Sequence, residues 1–284
     1  MQIGIGLPNP IPGTPGRVLI EWARRAETRG FSTLATIDRI AFPGYESLVT
    51  LAAAAAVTQR TGLMTDVLLG PTRNPVLLAK EAASVDQLSG GRLVLGLGVG
   101  SREDDFLASG TGFHDRGRRW DVALEVMDRA WRGELVTGAN NPVTPEPVAA
   151  GRPPLVFGGM SDATIRRTVR WGTGWTAGGA AGDQIVPFTE RLRAAWRDAG
   201  RPGSPRILAL TYFAVGDDPR ADAWIAHYYG RAPYASAIAA NLARTPVALR
   251  DLVHRYEDRA VDELLIHPTI AEASQVDGLA DAVL

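Results

Sequence analysis

The sequence predicts an α/β fold: a single (β/α)₈ TIM barrel over residues 1–284, with insertions in the loops at the C-terminal face of the barrel. Three observations predict it. The 284 residues are close to the roughly 250 that such a barrel needs. Short runs that read as strands are apolar on both faces, as in a parallel sheet covered by helices. Helical patterns separate these runs, and eight strands favour a closed barrel over an open doubly wound sheet, which usually has fewer.

Each predicted element has its own signal in the chain. The predicted strands are residues 3–7, 34–37, 63–69, 93–99, 154–157, 175–177, 206–215 and 263–267. The predicted helices are residues 21–29, 47–59, 76–88, 121–131, 164–171, 185–199 and 247–259. Gly30 directly follows the first helix, where a left-handed residue commonly ends a helix. Pro75 stands at the start of the third helix, where its missing N–H leaves no bond unmade.

Two connections between the predicted elements are long, residues 133–152 and 217–246. Long connections in a barrel are candidates for lids or interface segments, and the alternative is a tolerated surface insertion. Neither connection has the low-complexity composition of a linker. The chain is therefore expected to form one domain.

The composition excludes several classes of protein. The formal net charge is −1 and no cluster of basic residues appears, so nucleic acid is not an expected partner. The chain has no cysteine, which excludes disulfides and Cys-ligated metals. No basic segment followed by an apolar one marks a secretory signal. The longest apolar run, residues 51–57, is far shorter than the ~20 residues that span a bilayer. We expect a cytoplasmic protein with no membrane partner.

Asp38 and Arg39 stand at the carboxyl end of the second predicted strand, where barrel enzymes carry their active sites. Asp38 could act as a general acid or base, or could form an ion pair with Arg39. The four histidines, His114, His227, His254 and His267, show no metal-binding spacing. No G-x-S-x-G motif indicates a serine hydrolase.

Glycines dominate the other strand ends. Gly96, Gly98 and Gly100 have G-x-G-x-G spacing, which is not the dinucleotide fingerprint G-x-G-x-x-G. They indicate either a strand that packs tightly in the barrel or a wall made flat for an aromatic ring system. Gly178 follows the sixth strand, and its lack of a side chain likewise allows a ligand close to the backbone.

Residues 158–164 join the fifth strand directly to a helix. Backbone N–H groups at a helix start, together with the helix dipole, favour an anion. Ser161 and Thr164 could add hydroxyl donors to a phosphate, while Ser161 or Asp162 could equally cap the helix. The two interpretations are compatible, since a phosphate site at a helix start is built on a capped helix.

Together these motifs resemble the bacterial luciferase-like flavin-dependent oxidoreductases, the luciferase-like monooxygenase family. The most specific stretches are residues 73–80, 86–92 and 95–100. The resemblance implies the (β/α)₈ barrel and an enzyme that acts on a small organic substrate. It also implies one of two cofactors: reduced FMN, often supplied by a separate flavin reductase for monooxygenation, or coenzyme F420, used for hydride transfer. Homodimers are common in the family.

The resemblance also assigns roles to individual residues. Leu69 and Gly70, with Gly98, Val99 and Gly100, would line the ring system. The loop of Gly158, Gly159, Met160 and Ser161, with Thr164, would hold the cofactor phosphate, and Gly178 joins this set of cofactor-binding candidates. Members often carry a non-prolyl cis peptide in the third strand, beneath the ring, and Leu69–Gly70 is the predicted position.

The chain departs from the family at Arg39. Many members have a histidine directly after the acid at the end of the second strand, where this sequence has Asp38-Arg39. Arginine stays protonated near neutral pH and is no ordinary proton shuttle, although it could stabilise an anion such as a substrate carboxylate or enolate. Asp38 and Arg39 are therefore the catalytic candidates, and a non-catalytic flavin-binding barrel is a further alternative.

Overall fold

Parallel strands closed into a barrel form the centre of the computed structural model, which describes residues 1–136, 138–148, 151–230 and 232–284. The predicted connection 133–152 includes Thr137, Ala149 and Ala150, and the connection 217–246 includes Arg231. These four residues lie outside the described residues.

The barrel strands follow the order of the chain. They are β1 Gln2–Gly6, β2 Thr33–Thr36, β3 Gly62–Thr65, β4 Leu68–Leu69, β5 Leu93–Gly98, β6 Leu155–Gly158, β7 Gly174–Ala177, β8 Arg206–Phe213 and β9 Glu263–Pro268. All pairings are parallel, and β1 closes the barrel by pairing with both β2 and β9. Since β3 and β4 both pair with β5, they are two halves of one strand. The predicted eight-stranded barrel is confirmed.

Helices connect the strands and cover the outside of the barrel. They are α1 Gly16–Arg29, α2 Ser47–Ala55, α3 Pro75–Ser89, α4 Glu103–Ala108, α5 Arg116–Trp131, α6 Asp162–Trp171, α7 Ile185–Asp198, α8 Pro219–Tyr229, α9 Ala235–Ala240, α10 Pro246–Glu257 and α11 Ser274–Val283. Each predicted helix has a counterpart. Four helices had no predicted bounds. They are α4, whose six residues are too few to show a period, α8 and α9 within the connection 217–246, and α11, which packs against α1 and α10. No helix in the described ranges is long and apolar enough to cross a bilayer.

The helix ends follow local chemistry. Asn74 caps α3, its side-chain oxygen accepting from the backbone N–H groups of Val76 and Leu77 at 3.0 and 3.1 Å. Gly90 ends the same helix in the left-handed conformation, with φ of 67°. Most other residues avoid this conformation, so glycine fits the position best.

Apolar side chains fill the barrel itself as well as the layer between barrel and helices. Ala35, Met64, Val156, Leu208 and Leu265 form a buried cluster of their own, one residue each from β2, β3, β6, β8 and β9. The inside of the barrel is thus a packed core at this level, as in other (β/α)₈ barrels. Any ligand must bind nearer the carboxyl ends of the strands.

The third strand is broken. β3 ends at Thr65 and β4 resumes at Leu68, and the Asp66–Val67 peptide bond between them is cis and non-prolyl. The predicted position, Leu69–Gly70, is therefore wrong. Leu69 instead ends the strand, and Gly70 begins a single 3₁₀ turn to Thr72.

The two long connections lie at opposite ends of the barrel. The described part of residues 133–152 follows α5 and leads to the start of β6, and it contacts α3 through Lys80 and Gln87. It therefore lies at the amino ends of the strands and cannot be a lid over a site at their carboxyl ends. The connection after β8 carries α8 and α9 at the carboxyl end, as predicted for an insertion at that face.

Candidate functional site

A cavity of about 570 Å³ opens at the carboxyl ends of the strands. Ten predicted site residues line it: Asp38, Arg39, Leu69, Gly98, Val99, Gly100, Gly158, Gly159, Met160 and Gly178. Three others, Gly70, Ser161 and Thr164, are not among the lining residues. Gly70 faces the side chain of Trp120 on α5, because a Cβ at Gly70 would lie 2.2 Å from that ring.

Val67 forms one wall of the cavity. It lies over two glycines: a Cβ on Gly98 would lie 2.6 Å from Val67 Cγ2, and one on Gly158 would lie 3.1 Å from Cγ1. Side chains at these positions of β5 and β6 would displace the valine. The glycines thus serve the wall by making room for Val67.

Gly96, the first glycine of the G-x-G-x-G motif, allows tight packing of its strand within the barrel. A Cβ on this residue would lie 1.9 Å from the carbonyl oxygen of Thr65, far inside van der Waals contact. Gly96 is therefore required for tight packing between β5 and β3.

The loop between β6 and α6 borders the same cavity through Gly159 and Met160. Ser161 is the N-cap of α6, and its hydroxyl accepts from the Thr164 backbone N–H at 3.3 Å. Gly159 has φ of 107°, and its carbonyl accepts from Trp175 Nε1 at 2.7 Å. The predicted N-cap is present, and the positive end of the α6 dipole lies beside the cavity-lining loop. The phosphate-binding role of Ser161 and Thr164 stays a prediction.

Asp38 does not pair with Arg39. Its buried carboxylate accepts from the Leu69 backbone N–H at 2.9 Å, from Ser47 Oγ at 3.2 Å and from Arg73 Nη2 at 3.1 Å. Burial lowers the pKa of Arg73, but the charges of Asp38 and Glu46 outweigh this effect and raise the pKa above its ordinary value. Asp38 therefore ties the end of β2 to the end of β4. The alternative in which Asp38 forms an ion pair with Arg39 is wrong.

Arg39 is held instead by two acids of α4. Its Nε lies 2.6 Å from Asp105 Oδ2, and its Nη2 lies 2.8 Å from Asp104 Oδ2. The other oxygen of Asp105 accepts from the backbone N–H groups of Ile40 and Ala41, both at 2.8 Å. The short helix α4 thus fixes the loop after β2 and neutralises the Arg39 guanidinium.

Asp66 and His267 form a buried polar pair beside the cavity, and the sequence analysis did not assign either residue to the site. Thr176 Oγ1 donates to Asp66 Oδ1 at 2.9 Å, and His267 Nε2 lies 3.7 Å from Asp66 Oδ2. The imidazole packs on Gly6, whose Cβ would lie 2.2 Å from His267 Nδ1. One signal was available: Asp66 is the one charged residue of the strand-like run 63–69.

Tyrosines from α8 and the adjoining loop form the mouth of the cavity. The hydroxyls of Tyr212, on β8, and Tyr229 lie 2.5 Å apart. Burial raises the pKa of Tyr228 to about 12, and burial also raises those of Tyr212 and Tyr229. These phenols stay protonated near neutral pH and can donate hydrogen bonds there. No local pattern identified Tyr228 and Tyr229, because tertiary packing sets the path of the long connection that carries them.

No group of three or more His, Asp or Glu residues in the described ranges is arranged to hold a metal ion. The cavity instead combines an apolar wall, a capped helix start and neutral hydroxyl donors. Such a combination suits an organic ligand with a flat apolar part and an anionic end.

Comparison with protein families gives one match that spans nearly the whole chain. The family model described as luciferase-like monooxygenase matches residues 1–283. An uncharacterised protein of Mycobacterium tuberculosis is 30% identical over 227 residues, which are 69% of this chain and 78% of that protein.

Two solved structures show the same fold over both chains. The monooxygenase RslO1 from Streptomyces bottropensis aligns with a TM-score of 0.78 at 22% identity, covering 99% of this chain and 96% of that one. An F420-dependent secondary alcohol dehydrogenase, solved in complex with an F420-acetone adduct, aligns with a TM-score of 0.80 at 16% identity, covering 99% and 98%.

Proposed function

The chain belongs to the luciferase-like monooxygenase family, and from this premise we propose that it is a flavin-dependent monooxygenase that uses reduced FMN and oxygen on a small organic substrate. When bound, a reduced flavin would supply the two electrons with which oxygen is reduced, so that one oxygen atom goes to the substrate and the other leaves as water. A separate flavin reductase would provide the reduced FMN. The barrel would present the site at the carboxyl ends of its strands, as barrel enzymes do.

The observation that carries this proposal is that Val67 and the loop that starts α6 line one cavity. Val67 offers an apolar surface to a flat ring, and Leu69 and Val99 border the same space. The α6 start, with Ser161, offers backbone N–H groups and a helix dipole to a phosphate. The cavity volume of about 570 Å³ falls in the range of small-molecule and cofactor sites. These residues fit a phosphorylated flavin.

The remaining residues of the cavity have supporting roles in this proposal. Asp38 holds the end of β4, and with it the segment that carries Val67 and Leu69. Arg39 contributes a neutralised, fixed guanidinium and would orient a polar group without transferring a proton. Tyr228, Tyr229 and Ile238 close the mouth and exclude water from the reacting centre.

Anaerobic titration of the protein with reduced FMN and with reduced F420, followed by mixing with oxygen, tests the proposal. We expect reduced FMN to bind at micromolar concentration or below, and the complex to consume oxygen. Tighter binding of F420 without oxygen consumption would indicate a hydride-transfer enzyme instead of a monooxygenase. Binding of FMN with no reaction would indicate a non-catalytic flavin-binding barrel, and binding of neither cofactor would contradict the proposal altogether.

A further inference from the structure

The charged residues that line the cavity differ in how far their charges are compensated. Asp38 pairs with Arg73, and Arg39 pairs with Asp105. Asp66 accepts from Thr176 and lies beside His267. Arg102 is the lining arginine to which no carboxylate of the described residues bonds. Its guanidinium therefore keeps a full positive charge at the cavity.

The position of Arg102 is fixed by backbone and aromatic contacts. Its Nη2 donates to the carbonyl oxygen of Tyr228 at 2.8 Å. The guanidinium carbon lies 4.8 Å from the ring centre of Tyr228 and 5.5 Å from that of Tyr229. Stacking on an aromatic ring holds a guanidinium in one plane while leaving its other N–H donors free. The side chain is thus pre-organised for a planar anion.

Arg102 lies where two spaces meet. It lines the main cavity and also a second cavity of about 630 Å³, together with Ser101 and Tyr234. Burial raises the pKa of Tyr228 to about 12 although Arg102 and Arg39 lower it, so this neighbour stays neutral. The nearby carboxylate of Asp104 binds Arg39 and is 57% exposed. Since Asp104 and Asp105 both bind Arg39, Arg102 is the cation at the mouth that bonds to no carboxylate of the described residues.

We propose that Arg102 binds the acid group of the substrate, which is an organic anion with a carboxylate or a similar oxyanion at one end and an apolar body. The acid group would lie at the mouth between Arg102 and Tyr234. The apolar body would extend inward along Val99, Leu210 and Ile238. This inference rests on the proposed function, since the cofactor is taken to occupy the part of the cavity lined by Val67 and the loop that starts α6.

The same chemistry also fits a cofactor phosphate, so the experiment has two arms. In the first, isothermal titration measures benzoate and its neutral analogue benzamide binding to the FMN-loaded protein and to the flavin-free protein. We expect wild type to prefer benzoate, and Arg102→Gln to weaken benzoate about tenfold or more while changing benzamide by less than about twofold. Arg102→Lys should lose part of the benzoate affinity, because lysine keeps the charge without the planar donor pair.

In the second arm, FMN and riboflavin are titrated into wild type and Arg102→Gln. We expect both affinities to change equally little. A selective loss of FMN affinity would assign Arg102 to the cofactor phosphate and overturn the proposal. Failure of wild type to bind FMN, with benzoate preference intact in the flavin-free protein, would instead count against the proposed function alone.

A matched control comes from Arg170 on the outer surface of the barrel. Its guanidinium also stacks on an aromatic ring, at 4.4 Å from Trp171, and it is 61% exposed and paired with Glu125. Arg170→Gln should leave benzoate binding unchanged. Equal loss of benzoate and benzamide in Arg102→Gln, no preference for benzoate in wild type, or the same loss in Arg170→Gln would each contradict the assignment.

Discussion

At the scale of single residues, hydroxyls and glycines shape the cavity in different ways. Ser161 ends the turn before α6 and caps that helix, while buried Thr164 contacts the Ser161 hydroxyl at 3.2 Å. Gly96, Gly98 and Gly158 leave room for neighbouring backbone or side chains. Gly178 lines the cavity with no atom within 4 Å of a Cβ built on it. Substitutions at these positions can therefore show which residues affect ligand affinity and which affect the free energy of unfolding.

The hydroxyls at the start of α6 give the first prediction. Ser161→Ala combined with Thr164→Ala should weaken FMN about tenfold, because a phosphate loses two donors. Riboflavin, which has no phosphate, should lose far less. Fluorescence titration of both flavins measures the difference. The control is Thr245→Ala, which removes the N-cap of α10 and should lower the free energy of unfolding by a similar amount, about 1 kcal/mol. Equal losses of affinity for FMN and riboflavin would contradict the phosphate assignment.

The glycines give the second prediction. Gly96→Ala should lower the free energy of unfolding by about 2–3 kcal/mol, since the new methyl group would meet the Thr65 carbonyl oxygen. Gly178→Ala should leave stability nearly unchanged but alter flavin affinity, because its methyl group enters the cavity. Urea unfolding and flavin titration of both variants check this. Similar losses of unfolding free energy in the two variants would contradict the close approach of Gly96 to the Thr65 carbonyl oxygen.

At the scale of elements, side chains tie segments together that do not pair as strands. Asp38 joins the end of β2 to the end of β4, and Asp105 of α4 fixes the loop after β2. Glu27 of α1 accepts from the backbone N–H groups of Gln59, Arg60 and Thr61 in the turn before β3. Burial raises the pKa of Glu27, but these three donors outweigh it and lower the pKa to about 2.

Glu27 gives the third prediction. A carboxyl group whose pKa is lower in the folded state stabilises the fold above its unfolded-state pKa of about 4.5 and loses this contribution as pH falls toward 2. Glu27→Gln should therefore be less stable than wild type near neutrality, and the difference should shrink in acid. Urea unfolding across that range tests it. Glu21→Gln, on the same helix and exposed in an ion pair with Arg25, is the control. A constant difference at all pH values would contradict the role of Glu27.

The elements also show how far the sequence could predict this fold. Strands buried on both faces stand out as apolar runs, and all eight strand positions were found. The break at Asp66–Val67 was not, because Met64, Val67 and Leu68 continue the apolar run on both sides of Thr65 and Asp66. The cavity glycines were located, although the contact of Gly98 and Gly158 with Val67 depends on register between distant strands. The tyrosines of α8 and Arg102 could not be placed, since no local pattern shows which connection folds over the mouth.

At the scale of the whole molecule, one end of the barrel carries the ligand cavity and the other end contributes to stability. The carboxyl ends hold the cavity. The amino ends hold a buried acid, Glu263 of β9, which accepts from Arg206 at 2.6 Å and from Ser32 at 2.5 Å. These bonds join β8 and the start of β2 to β9. In (β/α)₈ barrels, residues at this face contribute to stability rather than to catalysis.

The fourth prediction follows from this separation. Arg206→Leu leaves Glu263 buried with its ion pair lost, and because Arg206 is 37% exposed the cost should be about 2 kcal/mol, below that of a fully buried pair. Flavin affinity should not change. Urea unfolding and flavin titration measure both quantities. The control Arg129→Leu breaks an exposed ion pair with Glu134 and should lower the free energy of unfolding by under about 0.5 kcal/mol. A loss of flavin affinity in Arg206→Leu would contradict the independence of the two ends of the barrel.

The wall made by Val67 has a consequence for how such a barrel can diversify. One side chain, supported by glycines of two neighbouring strands, sets the depth of the cavity on that side. Exchange of this valine for alanine or isoleucine would deepen or narrow the space, with the strand pairings of β4 and β5 left in place. New ligands therefore become accessible through single codon changes at position 67, and the scaffold that folds the chain need not be rebuilt for each of them.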